Sequence, residues 1–220
     1  MSDSQPVVVP SARDVRGSLD TGAPGDGRPG ADGGNPADAC IVACPPHPQH
    51  RGHRGDGRLV AISDRLTEGG VDCLRFDYGD WDEGYGELGD TYAAIEWANE
   101  RYETVGLTGF SFGGCLSLLA AGGTAVDGSA AATPDLAAVA ALAPPSRLND
   151  DLHALPAMGR IDAPATVVYA EHDDIADWAP VVERATELGW ETTALSAGHL
   201  FVGRIEEAGD AVGGFLLGSL

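Results

Sequence analysis

Between residues 39 and 216, continuous apolar runs alternate with segments whose apolar positions recur every three or four residues. The runs at 39–44 (ACIVAC), 71–76 (VDCLRF), 104–110 (TVGLTGF), 136–144 (LAAVAALAP) and 164–171 (PATVVYAE) read as strands buried on both faces. A shorter strand is expected at 190–195. Helical spacing appears at 57–68 through Leu59, Val60, Ile62 and Leu66, with Gly69-Gly70 as its stop. It recurs at 88–101 through Tyr92, Ile95 and Trp97, and further helices are expected at 178–188 and 201–216. Residues 113–121 are apolar nearly all round, which predicts a buried helix. Strands that alternate with helices, each followed by enough chain for a crossover, imply an α/β fold with a mostly parallel, doubly wound sheet. Two β-like stretches at 7–10 and 15–19 read as an antiparallel pair at the sheet edge. Residues 21–36 are almost all Gly, Pro, Asp and Ala, so a flexible surface loop is expected there. The whole chain, 1–220, reads as one domain without internal repeats.

Charge narrows the partners. Thirty-four acidic residues face 13 basic ones, all of them Arg, and the formal net charge is −21. Such a field repels phosphate backbones and anionic membrane surfaces, so neither nucleic acid nor membrane is an expected partner. It also destabilises the compact state at low salt, which suggests a halophilic, salt-adapted protein. Cys40, Cys44, Cys73 and Cys115 lie in or at the end of apolar runs, where free thiols act as small hydrophobes. The N-terminal stretch lacks the pattern of a secretory leader, and no apolar stretch approaches a membrane span. A cytoplasmic setting is the expectation.

The chemistry concentrates in GFSFGG at 109–114. G-x-S-x-G between a buried strand and an apolar helix is the context of a nucleophile elbow, with Ser111 at its apex. Flanking residues there must be tiny, and the following helix N-terminus supplies unpaired N–H groups for an oxyanion. A serine needs a base oriented by a third group, and in this arrangement the chain order is Ser, then Asp or Glu, then His. His199 is the only His beyond residue 172. Asp173 and Asp174 both follow the strand at 164–171, and spacing does not separate them; Asp177, Asp150 and Asp151 are weaker candidates. The oxyanion hole calls for the backbone N–H of Phe112 and one from the loop PPHPQHRGHRGDG. Prolines have no N–H, which leaves His47 and Gln49, with Gln49 preferred. His47, His50 and His53 lie three apart in a Pro/Gly loop, without a Cys or carboxylate at zinc-like spacing, so no metal is expected. No cofactor is needed for this chemistry.

These segments together resemble the small, cap-less α/β-hydrolases of the dienelactone-hydrolase-like group. The resembling pieces are PHP (46–48), LRFDYGDWDEGYGE (74–87), GFSFGG, AEHDDIAD (170–177) and AGHLFVGR (197–204). The resemblance implies an α/β-hydrolase fold, with Ser111 as nucleophile, Asp173 as acid and His199 as base. It also implies an oxyanion hole from Phe112 and the loop after Pro48. Two departures stand out: His50-Arg51-Gly52 replaces a Gly-Gly pair, and Ser replaces the elbow Cys of dienelactone hydrolases proper. The implied activity is hydrolysis of an ester-type bond in a small-molecule substrate through an acyl-enzyme. The alternatives are a non-catalytic binding protein, or a thioesterase or acyltransferase using the same residues. The stretch 145–164 is too short for a lid domain, and Leu148, Leu152, Leu155 and Met158 are equally suited to lining a pocket or packing on the sheet. The sequence leaves the oligomeric state unset.

Overall fold

A computed structural model describes residues 3–22 and 38–220. The loop expected at 21–36 lies almost wholly outside the described residues. The strands are β1 (Asp3–Val9), β2 (Val15–Thr21), β3 (Ala39–Cys44), β4 (Asp72–Asp77), β5 (Thr104–Phe110), β6 (Val139–Leu142), β7 (Ala165–Ala170) and β8 (Glu191–Leu195). The helices are α1 (Gly57–Glu68), α2 (Tyr85–Asn99), α3 (Phe112–Ala121), α4 (Ala154–Met158), α5 (Ala179–Glu187) and α6 (Ile205–Ser219). One sheet runs in the order β1-β2-β4-β3-β5-β6-β7-β8. Pairing from β4 to β8 is parallel, while β1–β2 and β2–β4 are antiparallel, as the apolar pattern implies.

The continuous apolar runs have a direct cause. Side chains alternate across a strand, and here helices cover both faces. Cys40, Val42 and Cys44 of β3 join a core with Leu88 of α2, Leu116 of α3 and Val181 of α5. Ile41 and Ala43 point into the other core, with Leu59 and Ile62 of α1 and Val212 and Leu216 of α6. The antiparallel edge is fastened by charge. Buried Asp20 of β2 accepts bonds from Arg75 Nε of β4 and from Ser63 Oγ of α1, both at 2.6 Å. Burial alone would raise the Asp20 carboxyl, but bonds from Arg75, Ser63 and Ser4 outweigh it and hold it below its ordinary value.

Strand β1 begins four residues earlier than expected and β6 is shorter at both ends, and three helices depart from the sequence expectation. Helix α2 begins three residues earlier than expected, because the Glu87 carboxylate accepts the Gly84 and Asp82 N–H groups and so satisfies the start of the helix. Helix α6 begins four residues later, since Phe201 and Gly203 adopt positive φ and belong to the loop before it. Helix α4, which the periodicity did not predict, is the only helix among the described residues between β6 and β7. Leu152 and Met158 pack into the core, and Leu155 lies partly buried against it.

Candidate active site

The parallel strands place their C-terminal ends along one edge of the sheet, and the site is assembled there. Strand β5 ends at Phe110, and α3 starts at Phe112. Between them Ser111 is held at φ 55°, ψ −117°, a strained conformation for a residue with a Cβ. Its N–H donates to Leu142 O of β6 at 2.8 Å. The neighbouring glycines are obligatory by space. A Cβ on Gly109 would lie 2.2 Å from Gly113 O, and one on Gly113 would lie 2.2 Å from Cys44 O.

His199 occupies the loop between β8 and α6. Its Nε2 lies 2.9 Å from Ser111 Oγ, and its Nδ1 lies 2.7 Å from Asp173 Oδ2. The imidazole is 6% exposed and the Asp173 carboxylate 0%, so both contacts are shielded from water. Asp173 Oδ1 accepts the N–H groups of Ile175 and Ala176 at 2.9 Å each, which fixes the carboxylate plane. The ring of His199 also lies 5.2 Å from that of Phe110, which backs it from within the sheet. Spacing left two neighbouring aspartates open and the resemblance implied Asp173; it is Asp173 that contacts His199. Asp174 is exposed, and Asp177 accepts Ser146 Oγ at 2.7 Å. Asp150 and Asp151 are exposed, and Asp151 accepts the Tyr85 hydroxyl. His172 turns toward Ser196 Oγ at 3.4 Å.

Phe112 is the first residue of α3, where N–H groups have no intrahelical acceptor. Gln49 stands in a short 3₁₀ turn after β3, and its N–H donates to His47 Nδ1 at 3.3 Å. The expected second oxyanion donor is therefore engaged by a ring of its own loop. The three histidines of that loop do not converge. His53 Nδ1 accepts Gly55 N–H at 2.9 Å, while His47 and His50 stack at 4.6 Å between centroids. Among the described residues no group of three or more His, Cys, Asp or Glu is arranged to hold a metal ion. Sequence reasoning missed Trp81, whose ring stacks on His47 at 4.5 Å. Its only signal was an aromatic residue in the polar loop after β4. A cavity of about 410 Å³ opens beside Ser111, lined among others by His47, Trp81, Phe112 and Leu148.

Residues 75–199, more than half of the chain, match the family described as X-Pro dipeptidyl-peptidase (S15 family). The chain belongs to the S15 family. It is thus a hydrolase of the α/β-hydrolase superfamily, and the matched span contains Ser111, Asp173 and His199. Solved structures agree on the fold. An α/β serine hydrolase homologue from Coxiella burnetii superposes with a TM-score of 0.74 at 20% identity, covering 98% of each chain. An α/β serine hydrolase without lid from Xanthomonas campestris gives 0.73 at 20% identity, covering 97% of this chain and 94% of that one. Est1E from Butyrivibrio proteoclasticus gives 0.75 at 17% identity, covering 99% of each chain. No curated protein matches the chain. Among the described residues no helix is long and apolar enough to cross a membrane.

Proposed function

We propose that this S15-family hydrolase cleaves an ester-type bond of a small substrate through an acyl-enzyme on Ser111. The observation that carries the reading is the unbroken chain Asp173–His199–Ser111, with contacts of 2.7 and 2.9 Å at the end of the sheet. Ser111 Oγ attacks the carbonyl carbon while His199 Nε2 takes its proton. Asp173 holds the tautomer with the proton on Nδ1 and stabilises the imidazolium. The carbonyl oxygen becomes an oxyanion that the Phe112 N–H meets, helped by the N-terminal end of α3. In this reading Gln49 supplies the second donor by exchanging His47 Nδ1 for the oxyanion. The long 3.3 Å contact is a weak one to give up. Imidazolium then protonates the leaving alcohol, and water repeats the sequence in reverse to free the acid.

The family name gives a second reading its specific support: cleavage of a peptide bond. Proline-amide and ester substrates assayed side by side distinguish the two. A thioesterase or acyl-transfer role uses the same residues and is separated by product analysis. A binding protein without catalysis is separated by an activity probe. The wild type is expected to be labelled by a fluorophosphonate, whereas Ser111→Ala is not labelled and loses about 10⁶-fold in kcat. A folded wild type that resists the probe would sink the hydrolase mechanism on Ser111.

We also read the net charge of −21 as an adaptation to concentrated salt in a cytoplasm, because self-repulsion falls as ions screen it. The thermal midpoint is expected to rise from low salt to molar KCl. A flat or falling midpoint removes the halophilic reading.

A further inference from the structure

The cavity beside Ser111 has a composition that the proton relay does not explain. Four of its lining side chains are rings drawn from three separate segments: His47 and His50 from the loop after β3, Trp81 from the loop after β4, and Phe112 from the start of α3. They form one wall. His47 stacks on His50 at 4.6 Å and 24°, and on Trp81 at 4.5 Å and 29°. His47 is thus the ring that links His50 and Trp81, with both stacked on it. Phe112 closes against it, 4.9 Å from His47 and 5.7 Å from Trp81. The cavity is completed by aliphatic groups, among them Leu148 and Ile175, the latter 68% exposed. Charge there is balanced, with one carboxylate, Glu83, and one guanidinium, Arg147.

We propose that this ring wall is a specificity surface for a planar, uncharged aromatic group carried by the ester on one side of its scissile bond. The inference rests on the serine-hydrolase reading of the site and names the substrate class for it. Flat rigid rings reward a flat partner twice. Offset or edge-to-face ring contacts add attraction beyond the area they bury, and a ring has few torsions to immobilise. An aliphatic chain of equal volume gains only the area and gives up more freedom. Burial and the neighbouring His50 hold His47 below the ordinary histidine pKa, which favours its neutral imidazole as the ring at the centre of the wall. A volume of about 410 Å³ lies at the small end of ligand sites and suits one or two rings, not a polymer segment.

The experiment compares esters that carry either a flat aromatic ring or its saturated six-membered counterpart at the same position. Methyl hydrocinnamate is set against methyl cyclohexanepropionate for the acyl side, and benzyl acetate against cyclohexylmethyl acetate for the alcohol side. All four are followed by proton release with full-length protein in molar KCl. In one of the two pairs the aromatic ester is expected to be favoured about tenfold in kcat/KM, the scale of one ring-on-ring contact. Trp81→Leu should bring that ratio to near one, and Trp81→Phe should keep most of it. A purely structural Trp81 would lower both members of the pair together and leave the ratio alone, which overturns the proposal. Ratios near one in the wild type, or a preference for cyclohexyl, overturn it as well. Fluorophosphonate labelling of Ser111 separates the two levels. Labelling without turnover of either aromatic ester removes the aromatic assignment alone. Absence of both labelling and turnover removes the hydrolase reading and this inference with it.

Discussion

The turn that carries Ser111 and the loop that carries His199 meet over a 2.9 Å contact, yet they are built by different means. The serine turn is set by backbone against backbone. Gly113 lies where any Cβ would strike the carbonyls of Cys44 and Pro45, and Gly109 lies where one would strike Gly113. The histidine loop has no such crowding. A Cβ on Gly198 would approach nothing nearer than His172 O at 3.7 Å, and one on Gly203 would meet nothing. That loop closes on its own backbone turns, Phe201 N–H to Gly198 O and Arg204 N–H to Phe201 O, and is anchored by side chains: the fully buried ring of Phe201, the Arg58 bond to Leu200 O, and Asp173 on the imidazole. Leu200 and Val202 on the same loop are exposed. The strained backbone of Ser111, the proposed nucleophile, needs walls on every side, whereas His199, the proposed base, is placed by a few side-chain contacts.

The contrast makes Asp173 the most informative residue to change. Asp173→Asn keeps an acceptor for the Ile175 and Ala176 N–H groups but cannot hold the imidazole tautomer. A loss of about 10⁴-fold in kcat with an almost unchanged thermal midpoint is expected. Asp174→Asn should leave kcat alone, and equal losses in the two variants would break the assignment. Gly113→Ala tests the walls. Adding one methyl group there is expected to cost about 3 kcal/mol and to lower the melting temperature by roughly 9 °C. A midpoint within error of wild type would show that the turn can yield. At the other extreme, Val202→Ser alters a larger side chain on the histidine loop at a site 83% exposed. A change within about 0.5 kcal/mol is expected in denaturant titration, and a larger one would mean the loop is less independent of its surface than its contacts suggest.

The same contrast explains what the sequence disclosed. The elbow was legible because steric necessity leaves a mark at fixed spacing: only glycine fits at 109 and 113. The strands were legible because two-sided burial produces unbroken apolar runs, as in ACIVAC. Asp173 and Asp174 were not separable by spacing, because neighbouring acidic residues look alike until the fold brings one of them to a histidine 26 positions later. The ring wall was invisible for a related reason. His47, Trp81 and Phe112 are far apart in the chain, and the histidine spacing at 47, 50 and 53 invited a metal question when two of those rings in fact stack. Helix α2 starts ahead of its apolar spacing because Gly86 sits in its first turn, which Glu87 secures from within.

The four buried thiols have a practical consequence. Burial pushes the Cys44 and Cys73 thiols up to about 12, and Cys40 and Cys115 are raised as well. At neutral pH the folded chain therefore offers almost no thiolate, while an opened chain exposes thiols near their ordinary value of about 8.5. Cys44 and Cys115 flank the serine turn, and Cys40 and Cys73 lie on the paired strands β3 and β4. An electrophilic dye added in solution thus acts as a clock for opening events at the middle of the sheet, timing how often the molecule breathes without any label having been engineered into it.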